Sequence, residues 1–496
     1  MPITPSTPSF DLAGAISALP STGGIIEVPT GTHIVDTVDL TKPNVTIRLN
    51  GATLEKATTT VTHMFTSVAG TADGFSVIGP GLVDMKTASF TLGNTVSFFF
   101  GSRASNLLFS DVYFKDGIED GLKFYGCQHV KVERCRFENF KTNGIEFHTP
   151  TVENDSHTGS VAARDSAYLA VSDCYFLDID DGLLGAADGQ AIAISAADDA
   201  QVTRDVVIDN CIAEDCIRGF HSEFNQAGLP GLRITYSNCQ VNGARSHGFV
   251  FNGVHGGVIT GCQARNCGVT GSASADLVGF IVGGSADPQS KDVVVGDCVA
   301  YDDRGGSAVM EHGFMFKQAV NITVSDIRSR GATESEYEVQ STVTSSRIVP
   351  DQASCRVERT DASNQTLTND TWESVLWTEE VYDPLDMHDG SNTERFAEDM
   401  LPGEYEVVGS IVFLADATGQ RGVRVEVIDG GTTTAFEAQV DAAAVDDTSI
   451  PFVCRVRKAH NGYIRVQAWQ NSGGATPTVR GADRCFCSVR LVGGNE

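Results

Sequence analysis

The stretch VKVERCRF (residues 130–137) recurs in altered form as LAVSDCYF (169–176), VVIDNCIA (206–213), ITYSNCQV (234–241), GVITGCQA (257–264) and VVVGDCVA (293–300). Each copy carries a cysteine at the same place: Cys135, Cys174, Cys211, Cys239, Cys262 and Cys298. After a turn-rich gap, each is followed by a second short strand, usually opened by glycine: Gly144-Ile-Glu-Phe, Gly189-Gln-Ala-Ile-Ala-Ile, Gly219-Phe-His, Gly248-Phe-Val-Phe, Gly279-Phe-Ile-Val and Gly313-Phe-Met-Phe. The pattern begins one coil earlier with LLFSDVYF (107–114) and Gly121-Leu-Lys-Phe, and ends one coil later with ITVSDIRS (322–329). Apolar and polar residues alternate with period two, so these segments are strands. Successive cysteines lie 39, 37, 28, 23 and 36 residues apart. A β-solenoid tolerates such unevenness because extra residues leave as loops at the corners of its coils. No single coil can bury its apolar side alone, but a stack can. The spacing therefore predicts one interior column of six buried thiols acting as small hydrophobes. Closely spaced CxxC pairs of the kind zinc prefers are absent; the nearest pairs are Cys211/Cys216, Cys262/Cys267 and Cys485/Cys487.

The chain has 496 residues and a formal charge of −29, which excludes nucleic acid as an expected partner because binding it needs basic surface. Such acidity fits a well-solvated surface, or a high-salt habitat where dense like charge is screened. No apolar run approaches the roughly 18 residues of a membrane helix, so no membrane insertion is expected. The opening MPITPSTPSF lacks a basic segment followed by an apolar core. Thirteen cysteines, an odd number, point to folding in a reducing cytoplasm.

Residues from about 10 to 20 (FDLAGAISALP) read as a short amphipathic helix that begins near Asp11 and ends at Pro20. Gly23-Gly24-Ile-Ile-Glu-Val-Pro-Thr-Gly-Thr-His-Ile-Val follows. This opening resembles the N-terminal coil of the pectate-lyase-like superfamily. The resemblance implies a right-handed parallel β-helix whose open end is capped by the helix. Around residues 330–370 the pattern lapses into polar sequence, and a separate antiparallel β domain follows. The stretch LPGEYEVVGSIVFL (401–414), with VLWTEEVYDPLDMHDGS before it, looks like the jelly-roll modules at virus tail-fibre tips, which resemble the C1q and tumour-necrosis-factor fold. That likeness implies a homotrimer. The expected class is therefore all-β. Its parts are an N-terminal segment and capping helix (1–22), a parallel β-helix (23–345), a linker (346–370) and a jelly roll for trimerisation or glycan binding (371–496).

Alternation also sorts the second strand of each coil. Residues such as Phe147 and Phe249 point inward; the alternate ones point outward. In coil order the outward residues are Lys123/Tyr125, Glu146/His148, Ala193/Ser195, His221/Glu223 and Val250/Asn252. Two coils each carry a carboxylate and a histidine, and a coil of small side chains lies between them. This predicts a shallow groove over Ala193 and Ser195 with ionisable walls. Glu146, Glu223, His148 and His221 are the catalytic candidates; Lys123, Tyr125, Ser195, Arg218 and Asn252 are candidates for substrate binding. Glu146 and Glu223 are expected about two strand spacings, or about 10 Å, apart. That is nearer the geometry of inverting than of retaining glycosidases. The histidines are alternative proton donors. A second candidate cluster is Asp178, Asp180 and Asp181, with Asp188 nearby. Asp180-Asp181-Gly182 is similar to the paired-aspartate motif of polygalacturonase-like hydrolases, although Asn-Thr-Asp, Gly-His-Gly and Arg-Ile-Lys signatures are absent. Asp-Gly is also ordinary turn chemistry, and more so at Asp116 and Asp120, which with Glu119 lie in KDGIEDG. A lyase reading would use Arg218 and His221 with Lys123, Tyr125 or Lys317. The polar segment Thr149–Asp165 leaves the stack beside Glu146 and His148, as a wall over the groove or a plain corner insertion.

These features predict a virion tail spike or fibre protein, folded in a host cytoplasm and acting outside cells. Its expected partners are host surface polysaccharide or glycoprotein and other virion tail proteins. No cofactor or metal is expected. A glycan depolymerase (hydrolase or lyase) and a non-enzymatic adhesin both fit.

Overall fold

A cysteine preceded by Asn, Asp, Gly or Arg is the local rule that turns each coil. Arg134, Asp173, Asn210, Asn238, Gly261 and Asp297 all have φ between 51° and 63°, the left-handed region. Glycine, Asn and Asp enter that region most cheaply, so the chain corners there. The cysteine that follows points inward, and its Sγ lies 3.1–3.4 Å from the carbonyl oxygen two residues before it. All six thiols are free and buried, as are all the other cysteines except the half-buried Cys454.

The computed structural model describes residues 10–494 apart from 59–61, 68–70, 87–88, 90–95, 150–163, 180–188, 197–200, 225–228, 269–276, 285–287, 341, 345–346, 350–353, 360–363, 384–386, 389–392, 398–401, 417, 444–445, 460–461, 473–477 and 482–484. The chain divides into two compact units. The first is Met1–Asn321 with Ser329–Val343; the second is Ile322–Arg328 with Thr344–Glu496.

The first unit is a parallel β-helix. Strands of successive coils pair in parallel and in register: Val130 with Leu169, Leu169 with Val206, and Val206 with Ile234. The second strands of the coils form an eleven-stranded parallel sheet, from Val38–Asp39 to Ser335–Val339. Its inward face stacks like residues on like. Phe249, Phe280, Phe314 and Tyr337 form a near-parallel column with ring centroids 4.7, 4.7 and 5.7 Å apart. In the larger parallel sheet formed by the first strands of the coils, Phe114, Phe137 and Phe176 make a second column at 5.0 Å steps. Leu12–Ala18 is the expected helix; Asp11 caps it by accepting the Gly14 N–H at 2.8 Å, and Leu12 and Ile16 are its buried residues. No helix among the described residues is long and apolar enough to cross a membrane.

The second unit is an antiparallel sandwich. One sheet is built on Gly403–Phe413, which pairs with Thr448–Lys458 on one side and Cys485–Gly494 on the other. The other orders Glu373–Ser374, Tyr463–Gln470, Gln420–Ile428 and Thr432–Asp441. The stretch expected as a linker contributes to the first sheet: Ser354–Arg359 pairs along Cys485–Arg490, and Gln365–Thr366 pairs with Thr478–Val479. Cys355 and Val357 on that strand are fully buried, which is why it folds with the sandwich.

Candidate functional site

In-register stacking places the outward residues of the eleven-stranded sheet in two rows. One row reads Lys123, Glu146, Ala193, His221, Val250. The other reads Tyr125, His148, Ser195, Glu223, Asn252. Glu146, His148, His221 and Glu223 therefore stand at the corners of a rectangle whose centre is Ala193 and Ser195. Small side chains thus lie between the two carboxylate–histidine pairs. The two carboxylates, however, belong to different rows. They are two strands apart and offset by two residues, so their backbones lie on a diagonal of about 12 Å rather than 10 Å.

Each corner has its own environment. Lys123 Nζ lies 2.9 Å from Glu119 Oε1, 3.0 Å from Asp120 Oδ2 and 3.1 Å from Glu146 Oε2. Burial alone would lower the Lys123 ammonium; three surrounding carboxylates instead raise it well above its ordinary value. Asp120 is fully buried, and Asn143 Nδ2 donates to its Oδ1 at 2.7 Å. Burial lifts the Asp120 carboxyl to about 7 against the pull of Lys123, and Glu146 adds to the rise. Burial, then the Asp120 charge, also raises Glu119, which accepts from Ser97 Oγ at 3.0 Å. Asp120 therefore keeps its proton to near neutral pH beside Lys123, while Glu119 and Glu146 are the half-buried members of the group. Lys123 is committed to these ion pairs, which leaves it poorly placed as a substrate ligand.

On the opposite side, His221 Nδ1 lies 2.9 Å from Gln190 Oε1 and 3.4 Å from Arg218 Nη1. Its Nε2 is 3.4 Å from Glu223 Oε2. Burial, then the Arg218 and His247 charges, pushes the His221 imidazole well below its ordinary value. His148 bonds through Nδ1 to the Thr149 carbonyl, and burial lowers it to about 4. Both imidazoles are therefore neutral at physiological pH. Buried beside Lys123 and Arg218, they suit the role of neutral bases or hydrogen-bonding groups.

Tyr125 is buried against His148, with ring centroids 5.1 Å apart, and against Phe100 at 5.4 Å, so it forms one end wall. Ser195 and Asn252 are half-buried on the outer face, and Arg218 meets the rectangle at His221. The other end wall is apolar, since Val250, Ile281 and Met315 are buried with Val278 in a small outer cluster.

Asp178 is not at this site. It lies at a corner of the coil with φ 54°, in the turn column of Asp116, Asn139 and Asp215, all with φ of 52–56°. Asn139 Nδ2 donates to Asp116 Oδ1 at 2.6 Å there. Asp178 and Asp116 are thus turn residues. Asp180, Asp181, Asp188 and most of the Thr149–Asp165 segment lie outside the described residues. What the outward alternation missed is the Glu119–Asp120 pair: it precedes the strand, and its Asp-Gly step reads as a turn. Gln190 and Arg218 were also partly hidden, because they share the inward parity but sit where the strand begins and curl out. Among the described residues, no group of three or more His, Cys, Asp or Glu is arranged to hold a metal ion.

Residues 101–249 match the family model described as the right-handed β-helix region. The first unit is a right-handed parallel β-helix. No curated protein matches the chain. Among solved structures, polygalacturonase from Erwinia carotovora ssp. carotovora is 12% identical and aligns over 69% of this chain and 93% of its own, with a TM-score of 0.43. ORF18 of Geobacillus virus E2 is 12% identical over 88% of this chain and 68% of its own, with a TM-score of 0.42. The globular domain of zebrafish complement 1qA is 10% identical over 28% of this chain and 97% of its own, with a TM-score of 0.22.

Proposed function

We propose that this chain is a virion tail spike or fibre protein that binds host-surface polysaccharide on the outer face of the eleven-stranded sheet and cleaves it. The observation that carries the reading is the rectangle of Glu146, His148, His221 and Glu223 around the small floor of Ala193 and Ser195. On one side, buried Asp120 holds a proton to near neutral pH beside Lys123 and Glu146, and Glu146 is the carboxyl placed to face a glycosidic oxygen. On the other, Glu223 beside His221 can accept a proton from an attacking water. The backbone diagonal of about 12 Å between the two carboxylates is nearer the roughly 6.5–9.5 Å of an inverting pair than the roughly 5–5.5 Å of a retaining one. In the same reading the antiparallel sandwich holds three chains together, and the protein attaches to other tail components.

One observation favours a lyase as the second reading. A neutral His221 lies 3.4 Å from the Arg218 guanidinium, which pairs a base with a cation able to neutralise a uronate carboxylate.

Release of reducing ends from host-surface glycan by the purified protein tests the site. Glu146→Gln and Glu223→Gln are each expected to lower the rate by about 100-fold or more. Full activity in both variants would remove the site assignment. Tight glycan binding with no cleavage by the unaltered protein would favour an adhesin.

A further inference from the structure

The last strand of the eleven-stranded sheet carries a second constellation that the glycan groove does not use. Ser335 Oγ lies 2.8 Å from His312 Nδ1. His312 Nε2 lies 3.0 Å from Glu338 Oε2, and Gln340 Nε2 donates to the other oxygen of Glu338 at 3.1 Å. One assignment satisfies every contact: the serine hydroxyl donates to Nδ1, and Nε2–H donates to Glu338. His312 is paired with Ser335 across the parallel ladder and, like Gln190 and Arg218, stands at a strand start, where its side chain curls to the outer face. His312 is almost buried, whereas Ser335 and Glu338 remain partly exposed. Glu334 Oε2, at 3.6 Å from Nε2, is the other carboxylate facing the ring.

We propose that Ser335, His312 and Glu338 form an acyl-transfer site that removes small O-acyl groups, of the acetyl class, from sugar hydroxyls. A hydroxyl nucleophile, a base within hydrogen-bond reach, and an oriented carboxylate on the base's other nitrogen are the parts this chemistry requires. Ser335 Oγ attacks the ester carbonyl carbon while its proton passes to His312 Nδ1. The tetrahedral intermediate then expels the sugar oxygen, which takes that proton. Water, activated by the same nitrogen, hydrolyses the acyl-serine to release the carboxylic acid and restore the serine. Ser335 N–H bonds back to the Glu311 carbonyl, at 3.1 Å, which fixes the start of this strand against its neighbour. Glu338 acts through His312 and is a positioning residue.

The Ser335 strand is four strands from the His221 strand, about 19 Å along the same outer face. A glycan running along the stack would pass both sites; that polysaccharide context rests on the function proposed above, whereas the acyl-transfer chemistry does not. The test therefore uses the full chain with p-nitrophenyl acetate and a serine-directed fluorophosphonate. Ester hydrolysis and one covalent adduct on the peptide containing Ser335 are expected. Ser335→Ala should abolish the adduct and lower hydrolysis by about 100-fold or more. Glu338→Gln should lower it less and shift its pH profile, which a merely structural hydrogen bond would not do. An adduct elsewhere, no adduct, or unchanged hydrolysis in Ser335→Ala would overturn the assignment. Failure of glycan cleavage with the adduct retained would count against the depolymerase and not against this site.

Discussion

In the outward row of its sheet, Lys123 follows Phe100 of the preceding coil and precedes Glu146 of the next. One ammonium there faces Glu119, Asp120 and Glu146, and burial lifts the Asp120 carboxyl to about 7. Two pH effects of opposite sign follow. Asp120 has a folded value of about 7, raised above its ordinary 3.8, so its stabilising contribution is full below about 4 and is lost as pH rises to 7. His148 has a folded value of about 4, depressed from 6.5, so its contribution is full above 6.5 and is lost as pH falls toward 4. Thermal melts at about pH 5.5 and 8 separate them. Relative to the unaltered protein, Asp120→Asn should gain in melting temperature on going to the higher pH, and His148→Gln should lose. Differences that do not change with pH would contradict the charge assignment. The acidic partners of Lys123 were not legible from alternation because they precede its strand. Glu146, His148, His221 and Glu223 were, because period two fixes the outer face of a strand stacked in register.

At the scale of the element, the left-handed residue before each ladder cysteine sets the corner. Asn238 has φ 53°, and its Nδ2 donates to Asp209 Oδ1 at 3.0 Å. Asn238→Ala should cost about 1–2 kcal/mol in urea unfolding, while Asn238→Gly should cost clearly less, because only the alanine meets the left-handed penalty. Equal losses would place the cost in the side-chain hydrogen bond alone. Phe280 sits between two parallel rings at 4.7 Å on either side. Phe280→Ala should therefore cost about 3–5 kcal/mol by the same measurement. The repeat that encodes these corners and stacks is visible in the sequence, because identical positions must pack on one another in every coil. The strand Thr432–Asp441 is not legible in the sequence for a physical reason: nearly every residue along it is exposed, so no buried face imposes alternation on its composition. Ser354–Arg359 was passed over for a different reason. It is bounded by polar sequence, and only its pairing with Cys485–Arg490 shows that Cys355 and Val357 have a core to enter.

At the scale of the whole molecule, all thirteen cysteines are unpaired, twelve buried and Cys454 half-buried. Titration with a thiol reagent should find thirteen reactive groups in denaturant and no more than Cys454 in the native protein at short times. Any pair missing under denaturing conditions would mean a disulfide, and with it a different oxidation history for the fold. Net charge of −29 adds self-repulsion that salt screens, so the melting temperature should rise between low and moderate ionic strength. The central claim is that the outer face of the β-helix cuts polysaccharide, and mass spectrometry of the products formed from candidate host-surface glycans tests it most directly. The account predicts oligosaccharides each carrying one added water. Shortened products lacking that water and absorbing as unsaturated uronates would transfer the chemistry to His221 and Arg218. Glycan that is bound yet never shortened, across all candidate sources, would contradict the claim.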